Sequence, residues 1–100
     1  MARYQVMYWK DFPAQVKAVD DNGGRAKAIL PDRFAESIDA ASMAEGSTDS
    51  ADYLEGWNWA PEQEREGTAQ EVVDALVAQF DQEYPKSRLI EMIKNYKSNG

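Results

Sequence analysis

The stretch "RYQVMYWKDFPAQVKAVD", residues 3–20, decides the fold because it contains two segments that alternate in the manner of strands. Aromatic and β-branched residues recur at every second position, a pattern typical of half-buried strands. Between the two segments lies KDFP, residues 10–13, which predicts a turn in which Pro13 fixes φ. The stretch therefore predicts an antiparallel hairpin.

The alternation also predicts which side chains share a face of this hairpin. The face expected to contact the helices carries Tyr4, Val6, Tyr8, Ala14, Val16 and Ala18. The opposite face carries three apolar residues, Met7, Trp9 and Val19, among the polar residues Gln5, Gln15 and Lys17. Single exposed apolar residues carry no meaning, but a cluster of this kind is a candidate contact site.

The next segment predicts a turn, a short extended stretch and a helix. Residues 20–24, DDNGG, form the turn, and RAKAIL, residues 25–30, is either an edge strand or an extended approach to the helix. Pro31 suits the first turn of a helix. Phe34, Ile38 and Ala41 follow at spacings of four and three on one helical face, and Gly46 is a plausible C-cap. Residues 47–52, STDSAD, are a loop or a single helical turn.

A third strand is predicted over residues 53–60, YLEGWNWA. Its odd-numbered face carries Tyr53, Trp57 and Trp59. A strand with one face covered by helices turns its bulk inward, so we expect both tryptophans in the core and Gly56 and Asn58 in water. The alternative is that the tryptophan pair is displayed to a partner.

Two helices complete the chain. Thr68 and Glu71 form a capping box, and Pro85 ends the helix that they open. The apolar stripe of this helix is Ala69, Val72, Val73, Leu76, Val77 and Phe80, and that of the last helix is Leu89, Met92, Ile93 and Tyr96. The order ββαβαα over residues 1–100 predicts one α+β domain, a two-layer sandwich of a three-stranded antiparallel sheet with helices on one face.

Composition argues against most catalytic chemistries. The chain has no cysteine and no histidine, so it lacks thiolate chemistry, the usual general base and the usual zinc ligands. DDNGGR begins like a calcium loop, but Arg25 stands in place of the required glycine and Pro31 in place of the bidentate glutamate. We therefore expect a protein that is not an enzyme and that uses no metal and no cofactor.

Charge and hydropathy bound the possible partners. The net charge is −7, and an acidic body repels phosphate, which disfavours nucleic acid. No stretch of the chain reaches the roughly 18 apolar residues of a membrane helix. A cytoplasmic protein without a membrane partner is the expectation.

The hairpin tip is the predicted binding site, formed by Met7, Trp9, Lys10, Asp11 and Phe12. Turns lie on surfaces, so two large aromatic residues beside a turn must fold back onto the sheet or meet a partner. In the first case Phe12 plugs the end of the core, and Lys10 and Asp11 are only polar turn residues. Both interpretations stay open at this point.

Three segments resemble a known family: YWKDFPAQVKA (8–18), LPDRFAESIDAASM (30–43) and YLEGWNW (53–59). They are similar to the small bacterial virulence factor family, a domain also joined to HEAT-like repeats in conserved virulence factor C proteins. Phe12 departs from the pattern, since an aliphatic residue is commoner there. The resemblance implies a small domain with no established catalytic activity and no assigned site residues.

Two functions follow from the sequence together with this resemblance. The first is a non-catalytic protein-interaction module with a protein partner. The second is an accessory domain that binds a small molecule or cofactor in one-carbon or corrinoid methyl-transfer metabolism, as the resemblance implies. A flat patch around Met7 and Trp9 favours the first, and a deep aromatic pocket with Trp57 or Trp59 favours the second.

Overall fold

The structure is a computed structural model that describes residues 1–45 and 54–98. Its strands are β1 (Ala2–Trp9), β2 (Phe12–Asp20), β3 (Arg25–Ile29), β4 (Trp57–Trp59) and β5 (Gln63–Arg65). Its helices are α1 (Asp32–Glu45), α2 (Ala69–Glu83) and α3 (Lys86–Ser98). The α+β class and the antiparallel sheet are confirmed. The prediction of three strands is wrong, because within residues 1–45 and 54–98 the sheet has five strands, and the named elements of these ranges follow in the order βββαββαα.

The strands lie in the order β3-β2-β1-β4, and β5 also pairs with β1. Residues 25–29 are thus an edge strand, which resolves the ambiguity of RAKAIL. The strand predicted over 53–60 is shorter than expected, because Leu54 and Glu55 are helical. The register of β4 against β1 differs by one residue from that of β5, so an extra residue is accommodated near Pro61, as in a β-bulge.

The β1–β2 hairpin is tighter than the sequence predicts. Its turn consists of Lys10 and Asp11, with Lys10 at a φ of 51°, and Trp9 pairs with Phe12. Phe12 and Pro13 therefore belong to β2 and not to the turn. The register shifts between Met7 and Tyr8, leaving one additional residue in β2 at this point.

The predicted core is largely confirmed. Val6, Val16 and Ala18 of the hairpin are buried, and the predicted apolar stripes of the helices bury Phe34, Ile38, Ala41, Ala69, Val72, Val73, Leu76, Phe80 and Leu89. The helix α2 contacts β1, β2 and β3, whereas α1 contacts β2 and packs along α3. The predicted cap at Gly46 and the segment 47–52 lie outside the described residues.

Arg33 ties the start of α1 to the end of α2. Its guanidinium donates to the carbonyl oxygens of Tyr84 at 3.1 Å and Asp81 at 2.9 Å, and it pairs with the Asp81 carboxylate at 2.8 Å. A cation that donates to the last carbonyls of a helix satisfies groups that have no partner within it. Beside it, the ring of buried Phe34 lies 5.9 Å from that of Tyr84.

A cluster of three aromatic rings closes the end of the hairpin. Trp9 and Phe12 are completely buried, and Tyr96 of α3 stacks on Phe12 with ring centroids 5.7 Å apart. The Tyr96 hydroxyl donates to the Asp11 carboxylate at 2.9 Å. Gly56 lies against the indole of Trp9, since a Cβ at position 56 would stand 2.5 Å from its Nε1. The tip of the hairpin is thereby joined to α3 and to the segment before β4.

Asp20 makes a second junction, between the β2–β3 turn and α2. Its carboxylate accepts from the amides of Gly24 at 2.8 Å and Asn22 at 3.0 Å within the turn. It also accepts from the amide of Ala69 at 3.0 Å, in the first turn of α2, where Thr68 and Glu71 form the predicted capping box. The hydrogen bond from Ala69, followed by that from Gly24, lowers the pKa of Asp20 below its ordinary value.

Replacing Trp9 by alanine is expected to destabilise the protein severely. Removal of a fully buried tryptophan costs about 3–5 kcal/mol in free energy of unfolding, out of roughly 5–15 kcal/mol for a domain. Trp59→Ala is the matched control, because Trp59 is 38% exposed, and it should cost less than half as much. Urea denaturation followed by circular dichroism measures both. Equal losses for the two variants would contradict the burial of Trp9.

Asp20→Asn should lower the melting temperature at neutral pH, because the asparagine side chain lacks the negative charge that interacts favourably with the N-terminus of α2. The folded-state pKa of Asp20 lies below the unfolded one, so its contribution is present above the unfolded pKa of about 4 and is lost as pH falls through the folded pKa. The difference in melting temperature from the parent should therefore shrink in acid. Asp21→Asn is the control, and a difference that is constant with pH would refute the assignment.

Candidate functional site

The structure separates the five residues of the predicted binding site. Trp9 and Phe12 are buried, so of the two interpretations left open the structure supports the one in which they fold back onto the sheet and Phe12 plugs the end of the core. Asp11 is exposed and accepts from Tyr96, and Lys10 is exposed with its Nζ 5.1 Å from the centroid of the Trp9 ring. Met7 is half-buried, and the register shift of the hairpin lies between it and Trp9. These residues form no single patch.

Strand alternation did not predict the burial of Trp9, because alternation predicts burial only where helices cover one whole face of a sheet. Trp9 stands at the end of β1, where Tyr96 of α3 and the backbone of Gly56 enclose it. Both groups lie far from Trp9 in the sequence, and alternation carries no information about them.

The two tryptophans of β4 also differ from the prediction. Trp59 is exposed, so its placement in the core is wrong, whereas Trp57 is half-buried and packs against the core. Asn58 is exposed as predicted, but Gly56 is buried. Trp59 pairs with Met7, which places it on the same face of the sheet as that residue.

This face, which we call the open face, is formed by alternate residues of all five strands of the sheet in the described part of the chain. The registers place together Arg3, Gln5, Met7, Gln15, Lys17, Val19, Arg25, Lys27, Ile29, Trp59 and Glu64. Lys17, Gln15 and Met7 were predicted on this side of the hairpin. Arg25, Lys27 and Ile29 were missed because β3 was ambiguous, although the alternation of R-A-K-A-I was a signal for a strand with one polar and one small-residue face.

One part of the open face is an apolar groove between the sheet and α1. It has a volume of about 520 Å³ and is lined by Met7, Ala14, Gln15, Ile29, Leu30, Ala35, Ile38, Asp39, Leu54 and Trp57. Ile29 and Leu54 are 80% and 64% exposed, and both line this one groove, so they form an apolar patch together with its other residues. The groove therefore offers apolar contact area that the described residues leave in water.

The other part is a basic strip formed by Lys17, Arg25 and Lys27. The Lys17 Nζ lies 4.1 Å from the centroid of the Trp59 ring, a cation–π contact. Within residues 1–45 and 54–98, no carboxylate oxygen lies within 4.0 Å of any of these three cations. Three cations without an ion-pair partner among the described residues are notable on a chain with a net charge of −7. Together with the groove, they make the open face apolar at one end and mainly positive along β2 and β3, where Glu62 lines the same hollow as the three cations.

Two side chains among the described residues have a pKa shifted from the ordinary value. Burial raises the pKa of Tyr8, which lies on the core face, and the lowered pKa of Asp20 follows from its capping bonds. No group of three or more acidic side chains suited to a metal ion is found in the ranges 1–45 and 54–98. None of the helices in these ranges is both long and apolar enough to cross a membrane.

Comparison with known proteins identifies the family but supplies no site. A family model described as virulence factor matches residues 7–93. This range includes all three segments that carry the sequence resemblance. No curated protein and no solved structure matches the chain. Because the match spans most of the 100 residues, the chain belongs to the virulence factor family.

Proposed function

We propose that the protein is a non-catalytic interaction module that binds another protein through its open face. The observation that carries this proposal is the juxtaposition of the apolar groove with the basic strip of Lys17, Arg25 and Lys27. Protein interfaces combine a desolvated apolar centre with polar groups at the rim, and tryptophan and arginine are enriched among their energetically important residues. The open face supplies each of these elements.

The charges of the open face define the partner by its chemistry. Cations on one side of an otherwise acidic chain attract a negatively charged surface and repel a positive one. The groove accepts an aliphatic or aromatic side chain next to that charge. The proposed partner is therefore a protein with acidic and apolar residues side by side.

The groove also supports a second candidate, an accessory domain that binds a small molecule, in keeping with the methyl-transfer context that the family resemblance implies. Its volume of about 520 Å³ lies within the range of small-molecule pockets, and Trp57 contributes an aromatic ring. The basic strip favours the first candidate, because its three cations extend beyond the groove along β2 and β3.

Site-specific photo-crosslinking tests the first candidate. A photoreactive residue in place of Ile29, on the open face, should yield a discrete crosslinked protein in the organism that makes the chain. The matched control is Ile90 of α3, which is also exposed, at 43%, and should not yield that species. Lys17→Glu should weaken the crosslink from position 29, and Lys86→Glu on α3 should leave it unchanged.

Two outcomes would count against the proposal. One is the same crosslinked protein from positions 29 and 90, since contact would then not depend on the open face. The other is the absence of any crosslinked protein from position 29 together with saturable binding of a metabolite that quenches Trp57 fluorescence, which would favour the second candidate.

A further inference from the structure

The outer edge of β3 has backbone groups without partners among the described residues. The strand stands at the end of the sheet, with only β2 beside it. The amide of Asp20 donates to Gly24, and that of Leu30 donates to Ala14, at the two ends of the β2–β3 ladder. Hydrogen-bonded pairs alternate along an antiparallel ladder, so the even residues of β3 bond to β2. Arg25, Lys27 and Ile29 therefore direct their N–H and C=O groups outward.

The same three residues carry the side chains of the open face at this edge. Arg25, Lys27 and Ile29 are exposed, whereas Ala26 and Ala28 point to the other face and are half-buried there. Side chains on one face of a strand recur about 7 Å apart. The edge thus presents two cations and one aliphatic side chain in line with three outward pairs of backbone groups.

We propose that this edge binds an extended acidic segment of the partner protein by strand addition. The inference rests on the proposed interaction function and specifies its recognition chemistry. Backbone groups of the added strand bond to those of Arg25, Lys27 and Ile29, and its side chains lie opposite theirs. An antiparallel ligand then has the pattern apolar-x-acidic-x-acidic, which places a carboxylate opposite each cation. Its apolar residue lies opposite Ile29, at the mouth of the groove.

The charge pattern also argues against a second copy of this chain as the occupant. Two copies of β3 paired antiparallel with full overlap would place Lys27 opposite Lys27, and like charges directly opposite destabilise a strand pair. Lysines on an edge strand commonly protect it from self-association. The cations of β3 attract an acidic strand at the positions where they would repel a second copy of β3.

The test uses the full chain and a synthetic peptide, acetyl-Thr-Val-Thr-Glu-Thr-Glu-Thr-amide, followed by two-dimensional NMR at low salt. The amide signals of Arg25, Lys27 and Ile29 should shift most. Methylating the backbone nitrogens of the valine and both glutamates should abolish binding, whereas methylating the flanking threonines should not. Lys27→Glu should weaken binding roughly fivefold or more and should instead favour the peptide with lysines in place of glutamates. Lys86→Glu serves as the control.

Three results would overturn the inference. The first is that chemical-shift changes are confined to the groove and persist with the backbone-methylated peptide. The second is a dimer joined through β3 in sedimentation experiments, and the third is no peptide binding at millimolar concentration. If Ile29 still crosslinks a partner in the third case, the interaction function stands and strand addition falls. If neither the crosslink nor the peptide is observed, both fall together.

Discussion

The arrangement of the molecule depends on the packing of the buried Trp9 side chain. Its indole lies against Phe12 across the hairpin, against Tyr96 of α3 and against the backbone of Gly56. These groups come from three separate parts of the sequence, so one side chain holds the hairpin, the last helix and the segment before β4 in place. Because position 56 has no room for a Cβ, the close approach requires glycine.

This closed end leaves the open face as the surface at which we propose that a partner binds. The aromatic residues at the hairpin tip are used internally, and the core face is covered by α2. The open face keeps Ile29, Trp59 and Leu54 in water, next to three cations that have no ion pair within the described part of the chain. Two segments that carry the family resemblance therefore serve the fold: YWKDFP supplies the aromatic plug, and LPDRF supplies Arg33, which binds the end of α2.

Local patterns in the sequence predicted the features that depend on residues close together in the chain. The alternation of Val6 with its neighbours and the spacing of Phe34 and Ile38 identified the core, and Thr68 with Glu71 identified a helix start. The site was not predictable in this way, because the exposure of Trp59 depends on a strand pairing between distant segments. The strand β5 was missed because its pairing with β1, at the other end of the chain, follows a one-residue change of register.

The central claim is that the open face ends at a free strand edge, and amide hydrogen exchange tests it most directly. The amides of Ala26 and Ala28, which bond to β2, should exchange slowly, whereas those of Arg25, Lys27 and Ile29 should exchange at nearly the rates of an unstructured peptide. Slow exchange at all five positions in the isolated protein would contradict the account, because the edge would then already be occupied.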